Sequence, residues 1–505
     1  MSIFPVVKAE SVSLLVAKES SLGTQPTSGW QTLQPNPDGI GDYYPKIKTV
    51  APAPLTVQRQ LEAPQIVDLD AAPKIKFDLT KDHTDAFIEG SFLARAKHSG
   101  GTGVAYFTPT ARTTTAFTVT AGGALQAGTI VVPRGFITGT NVAQNATPLV
   151  VGVSSTATSV VVAAGAAETV SGYVTTLEVG GFQFTSGDLG IDVNGNLTTA
   201  TADFTTMGLN VGQEIWLGGG AVGGAMAFAT AAYRGFAEVA AIAANLLTLR
   251  RRAWTVAAAD PGTGKTVHVY WSRWLRDVAF THADYLETSY QFELAYPNLS
   301  AGVTNMYAYA AGNLVDQLMI TAPAANLLTA EVSFIGTTVG DPTVTRATGA
   351  STAAAVLAIG RYNTVSNEPY LRLLKQSDES IVSDDIDTWA LTLMNHVSPQ
   401  KQQGTLGTKR DVVGTCEVAV SATAFITQAD AMLACSANTT LMLGAGFRNG
   451  DGGIFFNVPS LKCTDAPPKF PKDGPVTADL KLGAFRDATL NYTLGVSLFA
   501  YLPSV

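Results

Sequence analysis

The fold is decided by a segment that the chain carries twice, first as Lys74-Ile-Lys-Phe-Asp-Leu-Thr-Lys-Asp-His-Thr-Asp-Ala-Phe-Ile-Glu-Gly90 and again as Ala419-Val-Ser-Ala-Thr-Ala-Phe-Ile-Thr-Gln-Ala-Asp-Ala-Met-Leu-Ala-Cys435. The two segments align without a gap and place Asp85 on Asp430. Each is typical of a strand that runs into a helix. Because self-similarity over a long distance indicates repeated structure, the sequence predicts a duplicated β-domain.

A second pair of similar segments supports the duplication. Leu328-Thr-Ala-Glu-Val-Ser-Phe334 and Val476-Thr-Ala-Asp-Leu-Lys-Leu482 both alternate apolar with polar residues, which predicts half-buried strands. An acidic residue, Glu331 or Asp479, holds the same place in each strand.

The spacing of polar residues also predicts where the two helices begin. We expect Asp82 to cap the first turn of the first helix, with Asp85 three residues later. Thr427 and Asp430 occupy the corresponding positions in the second copy.

The composition favours strands and excludes several classes of function. The chain has 505 residues, of which only 14% are charged, and its net charge is −8. A protein that binds nucleic acid through its phosphates needs clustered Lys and Arg, so the composition argues against a nucleic-acid-binding protein. The three cysteines are odd in number, and we expect them to be small buried residues of a reducing compartment. Neither a signal peptide nor a membrane span is predicted.

Changes in sequence texture predict four regions. Residues 1–23 form an N-terminal arm, residues 24–102 and 275–345 form a discontinuous first copy, and residues 346–505 form the second copy. Residues 103–274, poor in charge and rich in Thr, Val and Gly, are expected to be an all-β insertion that faces outward and can be removed. The predicted class is mainly β, a sandwich or barrel with a flanking helix.

The insertion contains several short strand patterns and one clear turn. Asn194-Gly195 predicts a hairpin, because this dipeptide suits a tight turn between strands. The predicted strands are Ala116-Phe-Thr-Val-Thr120, Thr129-Ile-Val-Val132, Ser159-Val-Val-Val162, Glu214-Ile-Trp-Leu217 and Leu246-Leu-Thr-Leu249.

The most conspicuous chemical motif is not expected to act. Ala259-Asp-Pro-Gly-Thr-Gly-Lys265-Thr266 fits a relaxed phosphate-loop pattern, but such a loop must open a helix whose N-terminus faces the phosphates. Val267-His-Val-Tyr-Trp271 follows instead and predicts a strand, so we expect the motif to form a hairpin turn. The five histidines are scattered, and no metal or cofactor site and no catalytic arrangement is predicted. We therefore expect a protein that is not an enzyme.

Several motifs in the second copy resemble the tail tube (major tail) proteins of long, non-contractile-tailed bacteriophages. They are Leu391-Thr-Leu-Met-Asn-His396, Gly404-Thr-Leu-Gly407, Val413-Gly-Thr-Cys-Glu-Val-Ala-Val420, Pro475-Val-Thr-Ala-Asp-Leu480 and Phe485-Arg-Asp-Ala-Thr-Leu-Asn-Tyr-Thr493. Matching motifs in the first copy are Gly29-Trp-Gln-Thr-Leu-Gln-Pro-Asn36, Thr56-Val-Gln-Arg-Gln60, Val67-Asp-Leu-Asp-Ala71 and Asp85-Ala-Phe-Ile-Glu-Gly90. Their common order carries the resemblance, which covers roughly half of the chain.

The resemblance implies a structural virion protein that self-assembles in the host bacterial cytoplasm. Such proteins form stacked rings whose inner wall is a continuous β-barrel, through which the viral DNA passes without specific binding. Two similar domains per chain imply a homotrimeric, pseudo-six-fold ring, with a homohexamer as the alternative. The implied partners are other copies of the chain and the tape-measure, tail terminator and baseplate proteins.

A channel for DNA should carry few basic groups, so acidic residues on the polar strand faces are candidates for the channel wall. The candidate lumen-facing residues are Asp78, Glu293, Glu331, Glu417 and Asp479. Lys74, Lys76 and Lys481 lie on the same strands and leave a modest acidic excess.

Two other classes of function stay open from the sequence. A phage baseplate, adhesin or capsid decoration protein would also be rich in β-structure and low in charge, but would not need two copies of one domain. A nucleotide-binding protein built on the phosphate-loop pattern is the remote alternative.

Overall fold

The computed structural model describes residues 12–52, 63–97, 106–122, 124–137, 139–162, 165–170, 175–219, 226–230, 232–297, 305–340, 342–352, 360–426, 430–450, 452–470, 472 and 474–503. Strands dominate these residues and pair almost entirely antiparallel in several sheets. The expected mainly β class is confirmed. Within the described residues the largest sheet stays open and does not close into a barrel.

The first part of the chain contains six strands and a helix. They are β1 (Ser13–Lys18), β2 (Gln31–Leu33), β3 (Ile40–Gly41), β4 (Lys46–Val50), β5 (Gln65–Asp70), β6 (Lys74–Asp78) and α1 (Lys81–Phe92).

The middle of the chain adds fourteen short strands and a short helix among its described residues. They are β7 (Tyr106–Phe107), β8 (Pro109–Arg112), β9 (Ala116–Val119), β10 (Thr129–Arg134), α2 (Gly139–Gln144), β11 (Leu149–Val150), β12 (Ser159–Val161), β13 (Glu168–Thr169), β14 (Thr176–Phe184), β15 (Leu189–Ile191), β16 (Leu197–Thr199), β17 (Glu214–Leu217), β18 (Gly235–Ala243), β19 (Leu246–Arg250) and β20 (Val267–Tyr270). A 3-10 helix spans Phe204–Thr206.

The remaining elements return to the largest sheet. They are β21 (Arg273–Arg276), β22 (Ser289–Tyr296), β23 (Met306–Ala322), β24 (Thr329–Ile335), β25 (Thr338–Val339), β26 (Tyr370–Lys375), β27 (Ile381–Ser383), β28 (Ile386–Met394), β29 (Ser398–Gln400), β30 (Arg410–Val412), β31 (Glu417–Phe425), α3 (Asp430–Ser436), β32 (Leu441–Asn449), β33 (Gly452–Asp465), β34 (Pro468–Lys469), β35 (Thr477–Ala484) and β36 (Gly495–Phe499). A second 3-10 helix spans Ala350–Thr352.

Two groups of strands in the largest sheet are connected in the same order. In the first unit, defined here as β1–β6, α1 and β22–β25, the pairing order is β1, β22, β23, β24, β6 and β3. In the second unit, β26–β36 and α3, the corresponding order is β26, β32, β33, β35, β31 and β28. A two-stranded hairpin, β4–β5 or β29–β30, leaves each unit at the same point of the chain order.

The pairing registers of the two units also share their irregularities. Between β23 and β24 the register shifts between Val315 and Gln317, skipping Asp316. Between β33 and β35 it shifts between Cys463 and Asp465, skipping Thr464. An extra residue in one strand bends that strand locally. The bend therefore lies at corresponding positions of the two units, in β23 of the first and in β33 of the second.

The strand pairing corrects the sequence alignment by two residues. Glu331 pairs with Lys76, and Asp479 pairs with Thr423, so Lys76 corresponds to Thr423. The ungapped alignment had placed Lys76 on Ser421. Because side chains alternate with a period of two, a shift of two keeps every residue on its predicted face.

Helix α1 begins earlier than predicted. Thr80, in an extended conformation, is its N-cap and accepts a hydrogen bond from His83 N. The expectation that Asp82 caps the helix is wrong, because the helix already begins at Lys81 and Thr80 holds the N-cap position. The corresponding prediction for Thr427 lies outside the described residues, and Asp430 is the first residue of α3.

The N-terminal region is not an arm where the structure describes it. Strand β1 pairs with β2 and along its whole length with β22, and its four central residues are buried. The prediction of an extended arm over residues 1–23 is therefore wrong for β1, because an apolar Leu-Leu-Val run in that strand completes the sheet. Residues 1–11 lie outside the described residues.

The strands between residues 106 and 270 form two sheets of their own. The larger contains β7, β10, β11 and β14–β20, and the smaller contains β8, β9, β12 and β13. The predicted strands of this region are present as β9, β10, β12, β17 and β19, and Asn194-Gly195 forms the expected hairpin between β15 and β16. Gly195 has a φ of +81°, which this residue type adopts without strain.

Two of the cysteines are bonded to each other. Cys435 on α3 and Cys463 on β33 form a disulfide, while Cys416 is free and half-buried. The expectation of three small buried thiols is wrong for Cys435 and Cys463. Their pairing could not be predicted from the sequence, because it depends on the contact between α3 and β33 in the folded chain. Burial raises the pKa of the Cys416 thiol to about 12, so it stays protonated at neutral pH.

Candidate channel face and assembly edges

The two units join edge to edge into one continuous sheet. Residues 317–321 of β23 pair with β24 on one side and with β28 of the second unit on the other. Asp316 fastens this junction, because its backbone oxygen accepts from Asn395 N at 2.7 Å and its Oδ1 accepts from Val397 N at 2.8 Å. Apolar residues of both units on these strands belong to one core.

This continuous sheet has one apolar and one polar face. On β24, Ala330, Val332 and Phe334 are buried in the core, while the alternate residues are half-exposed. We call the exposed side of the sheet the polar face. It comprises Lys74, Lys76, Asp78, Gln317, Met319, Thr321, Thr329, Glu331, Ser333, Ala390, Thr392, Met394, Glu417, Ala419, Ser421, Thr423, Thr477, Asp479 and Lys481.

Four of the five candidate channel residues lie on the polar face. Glu331 lies directly across from Lys76 on β6. Asp479 accepts a hydrogen bond from Thr423 Oγ1 at 3.1 Å and forms an ion pair with Lys469. The contact with Lys469 lowers the pKa of Asp479 below its ordinary value, so this carboxylate stays charged at neutral pH.

The other two acids on this face also have partners. Asp78 forms an ion pair with Arg361 at 2.8 Å and accepts from Asn36 Nδ2 at 2.9 Å. Glu417 lies 3.0 Å from His396 Nε2. Each of the four acids therefore has a basic group beside it.

Glu293 is not a surface residue of this sheet. It lies on β22, is fully buried, accepts from Tyr309 OH at 2.7 Å and pairs with Arg346 at 2.8 Å. In the described structure its expected exposure to a channel is wrong. The alternating pattern of β22 did not predict this burial, because the segment that carries Arg346 packs over the side of β22 on which Glu293 lies.

The polar face is close to neutral in charge. The predicted acidic excess disappears because Glu293 is buried and because Lys469 and Arg361 reach the face from neighbouring segments. The sequence offered no signal for these partners, since their positions depend on the strand registers. Between the charged pairs the face presents Thr, Ser, Ala, Met and Gln.

The phosphate-loop pattern is a turn before a strand. Lys265 N donates to Gly262 O, Asp260 pairs with Ile191, and β20 begins at Val267. The predicted turn and the strand after it are present, but the expected hairpin is not, because β20 pairs with β14 and β17 and not with the preceding strand β19. Among the described helices, none begins at this loop. Among the described residues, no cluster of three or more His, Cys, Asp or Glu is arranged to hold a metal ion.

The insertion is packed tightly against the second unit. A buried cluster joins Ile130, Trp216, Phe236 and Tyr270 of the insertion to Tyr370, Phe455, Phe499 and Leu502 of the second unit. The ring of Phe236 lies 5.0 Å from that of Phe455, and Arg448 stacks over Trp216 at 4.4 Å.

A buried charged network adds to this contact. Arg251 of the insertion forms ion pairs with Glu214 and Glu238, and its backbone N–H donates to Glu379 of the second unit at 3.0 Å. Burial raises the pKa of Glu214 to about 8, against the opposing effect of Arg251. The insertion therefore carries part of the core of the second unit.

The two hairpins that leave the units lie against each other. Lys401, next to β29, forms ion pairs with Asp68 and Asp70 on β5. The β4–β5 hairpin also exposes an apolar surface. Its exposed apolar residues are Ile47, Val50, Ile66 and Val67.

The chain is a mainly β protein with one long two-faced sheet and a hairpin, β4–β5, that exposes apolar side chains. The family model described as "Phage tail tube protein" matches residues 216–493, more than half of the chain. The chain therefore belongs to the phage tail tube protein family, as its sequence motifs had indicated, and is a component of a virion tail.

The family model matches only part of the chain. The match begins inside the insertion, includes β22–β25 of the first unit and ends before β36 of the second unit, whereas the motifs quoted from residues 29–90 lie outside it. No curated protein matches the chain. Among the described helices, none combines the length and the apolar character that crossing a bilayer requires.

Proposed function

We propose that the chain is the major tail tube protein of a long, non-contractile tail, and that three chains form each ring. The observation that carries this proposal is the equivalence of the two units in strand order and in register shifts. Two equivalent units per chain give six similar positions in a trimer, and the β23–β28 junction supplies the geometry for joining one position to the next. A homohexamer is the alternative.

The polar face is proposed to line the channel for genome delivery. Its near neutrality suits this role, because a wall that attracts phosphates would hold the DNA and release counterions on binding. On the described polar face, charged side chains lie among Thr, Ser, Ala and Met side chains, and acidic groups lie beside the basic ones, so the cations are not grouped into a phosphate-binding patch. The viral DNA would then pass without specific binding.

Rings are proposed to stack through the paired hairpins. Exposed apolar side chains on β4–β5 favour burial against another ring, since each such residue gains free energy on leaving water. The tape-measure, tail terminator and baseplate proteins are the expected further partners, and the host bacterial cytoplasm is the expected place of assembly.

Negative-stain electron microscopy of concentrated purified protein tests this function. We expect tubes with a central channel, and native mass spectrometry of dissociated tubes should find trimers. Hexameric rings would reject the trimer and keep the tube. Discrete particles that never stack would favour a baseplate, adhesin or decoration protein instead.

A further inference from the structure

The second unit has a free strand edge where the first unit is already paired. Ile320 pairs with Ala330, and Pro468 pairs with Ala478 at the corresponding position. Lys469 likewise corresponds to Thr321. In the first unit this stretch is covered by β28, whereas among the described strands none covers the outer edge of β34.

The first unit has the complementary edge. Gly41 on β3 pairs with Lys74, and Ala390 on β28 pairs with Ser421. Because Lys76 corresponds to Thr423, Lys74 corresponds to Ser421, and β3 therefore stands at the position of β28. In the described structure β3 pairs only with β6, so its other edge is open.

We propose that β34 of one chain pairs with β3 of a second copy, in the register of the internal β23–β28 junction. Thr321 pairs with Ala390 inside the chain, so Lys469 of one copy should pair with Gly41 of the next. This inference rests on the proposed self-assembly into rings and names the surface that closes them.

The chemistry of the two edges fits each other. Phe470 is 76% exposed beside β34, and burial of this ring against a second copy would remove a large apolar surface from water. Lys472 is exposed on this side, next to the Lys469–Asp479 ion pair, while Asp38 is exposed beside β3, next to the Asp42–Lys46 ion pair. Opposite charges on the two edges favour this pairing over pairing between two identical edges.

One proline limits what else can bind at the open edge of β34. Pro468 has no N–H group, so this edge offers one donor fewer and is a poor template for unspecific strand addition. Pro467 O accepts from Asp479 N, which places it on the side of β35. The open edge of β34 therefore suits a partner strand that needs few backbone N–H donors from it.

Cysteine crosslinking of assembled protein tests the register. The variant Gly41→Cys/Lys469→Cys should form covalent dimers and then closed trimers on mild oxidation of rings, but no crosslink as a monomer. A β-carbon on Gly41 meets Lys74 Cβ only at 3.6 Å, so the substitution fits. The control Gly41→Cys/Lys481→Cys should not crosslink, because Lys481 lies on β35 and is paired on both sides.

Rings that form but crosslink only in the control pair, or in neither pair, would overturn the junction and leave the proposed function intact. A wild-type protein that forms no rings would overturn both. These two failures are therefore distinguishable in one experiment.

A charge at the edge gives a second, independent measurement. Phe470→Asp should leave the monomer folded, since its ring is exposed, and should abolish ring formation. Phe280→Asp is the matched control, because Phe280 is 61% exposed on the loop between β21 and β22 and should not affect assembly. Normal tubes from Phe470→Asp would contradict the proposed junction.

Discussion

Lys81 Nζ on helix α1 lies 2.9 Å from Glu178 Oε2 on β14, and both side chains are almost fully buried. Arg273 Nε lies 3.3 Å from the other oxygen of Glu178, which also accepts from Ser272 Oγ at 2.7 Å. Burial alone would raise the pKa of Glu178, but the charges of Lys81 and Arg273 lower it below its ordinary value. The insertion is thus tied to the first unit by a buried carboxylate.

Replacing this carboxylate should destabilise the chain. Glu178→Gln removes the buried carboxylate that lies 2.9 Å from Lys81 and leaves Asp85 as the remaining counter-charge beside Lys81 and Arg273. We expect a loss of about 3 kcal/mol in the free energy of unfolding. Chemical denaturation monitored by tryptophan fluorescence measures it. Glu89→Gln, which breaks the more exposed Lys18 pair, should cost less than about 1 kcal/mol. Equal losses would show that the buried network is not a tie between the two parts.

The sequence revealed repeated structure but not contacts between distant segments. Alternation in β6, β24, β31 and β35 predicted the strands and their faces, because a half-exposed sheet imposes a period of two on its own residues. Register, by contrast, depends on which strands meet. The two-residue error in the alignment, the covered side of Glu293 and the disulfide all follow from pairings that no local pattern encodes.

The insertion is expected to be required for stability. The sequence alone favoured a removable outward module, but deleting it would expose Tyr370, Phe455, Phe499 and Leu502 to water. Phe236→Ala removes one ring from this cluster and should cost about 3–5 kcal/mol. Phe280→Ala, at an exposed ring, should change the melting temperature little. A Phe236→Ala protein as stable as the wild type would revive the idea of a dispensable insertion.

The pH dependence of stability should reflect Asp411 in the β29–β30 hairpin. Among the described residues neither of its carboxyl oxygens has a hydrogen-bond partner, and burial raises its pKa to about 7. The folded chain then holds a proton that the unfolded chain loses above about pH 4. Between about pH 4 and about pH 7 this group therefore lowers the free energy of unfolding as the pH rises, and above that range its effect is complete.

Asp411→Asn should therefore stabilise the monomer at pH 8, on the order of 1–2 kcal/mol, and have little effect near pH 4. Thermal melts across this pH range measure the difference. Asp378→Asn is the control of opposite sign, because a hydrogen bond from Ser380 lowers the pKa of Asp378. A gain from Asp411→Asn that is independent of pH would indicate a packing effect instead of the loss of a buried charge.

The charge balance of the polar face offers the most direct test of its role. Glu331→Lys/Asp479→Lys leaves Lys76 and Lys469 facing new lysines and turns a near-neutral face strongly basic. Assembly should persist, because both side chains lie at the surface and neither belongs to the core. If this face lines the channel, the lysines attract DNA phosphates, and genome ejection from phage that carry the variant should slow. The delay should shrink as added salt screens the charges.

Asp378→Lys/Glu287→Lys, which changes the net charge equally at exposed loops, is the control, and phage that carry it should eject DNA at the normal rate. Normal ejection by the Glu331→Lys/Asp479→Lys phage at low ionic strength would mean that the polar face does not line the channel.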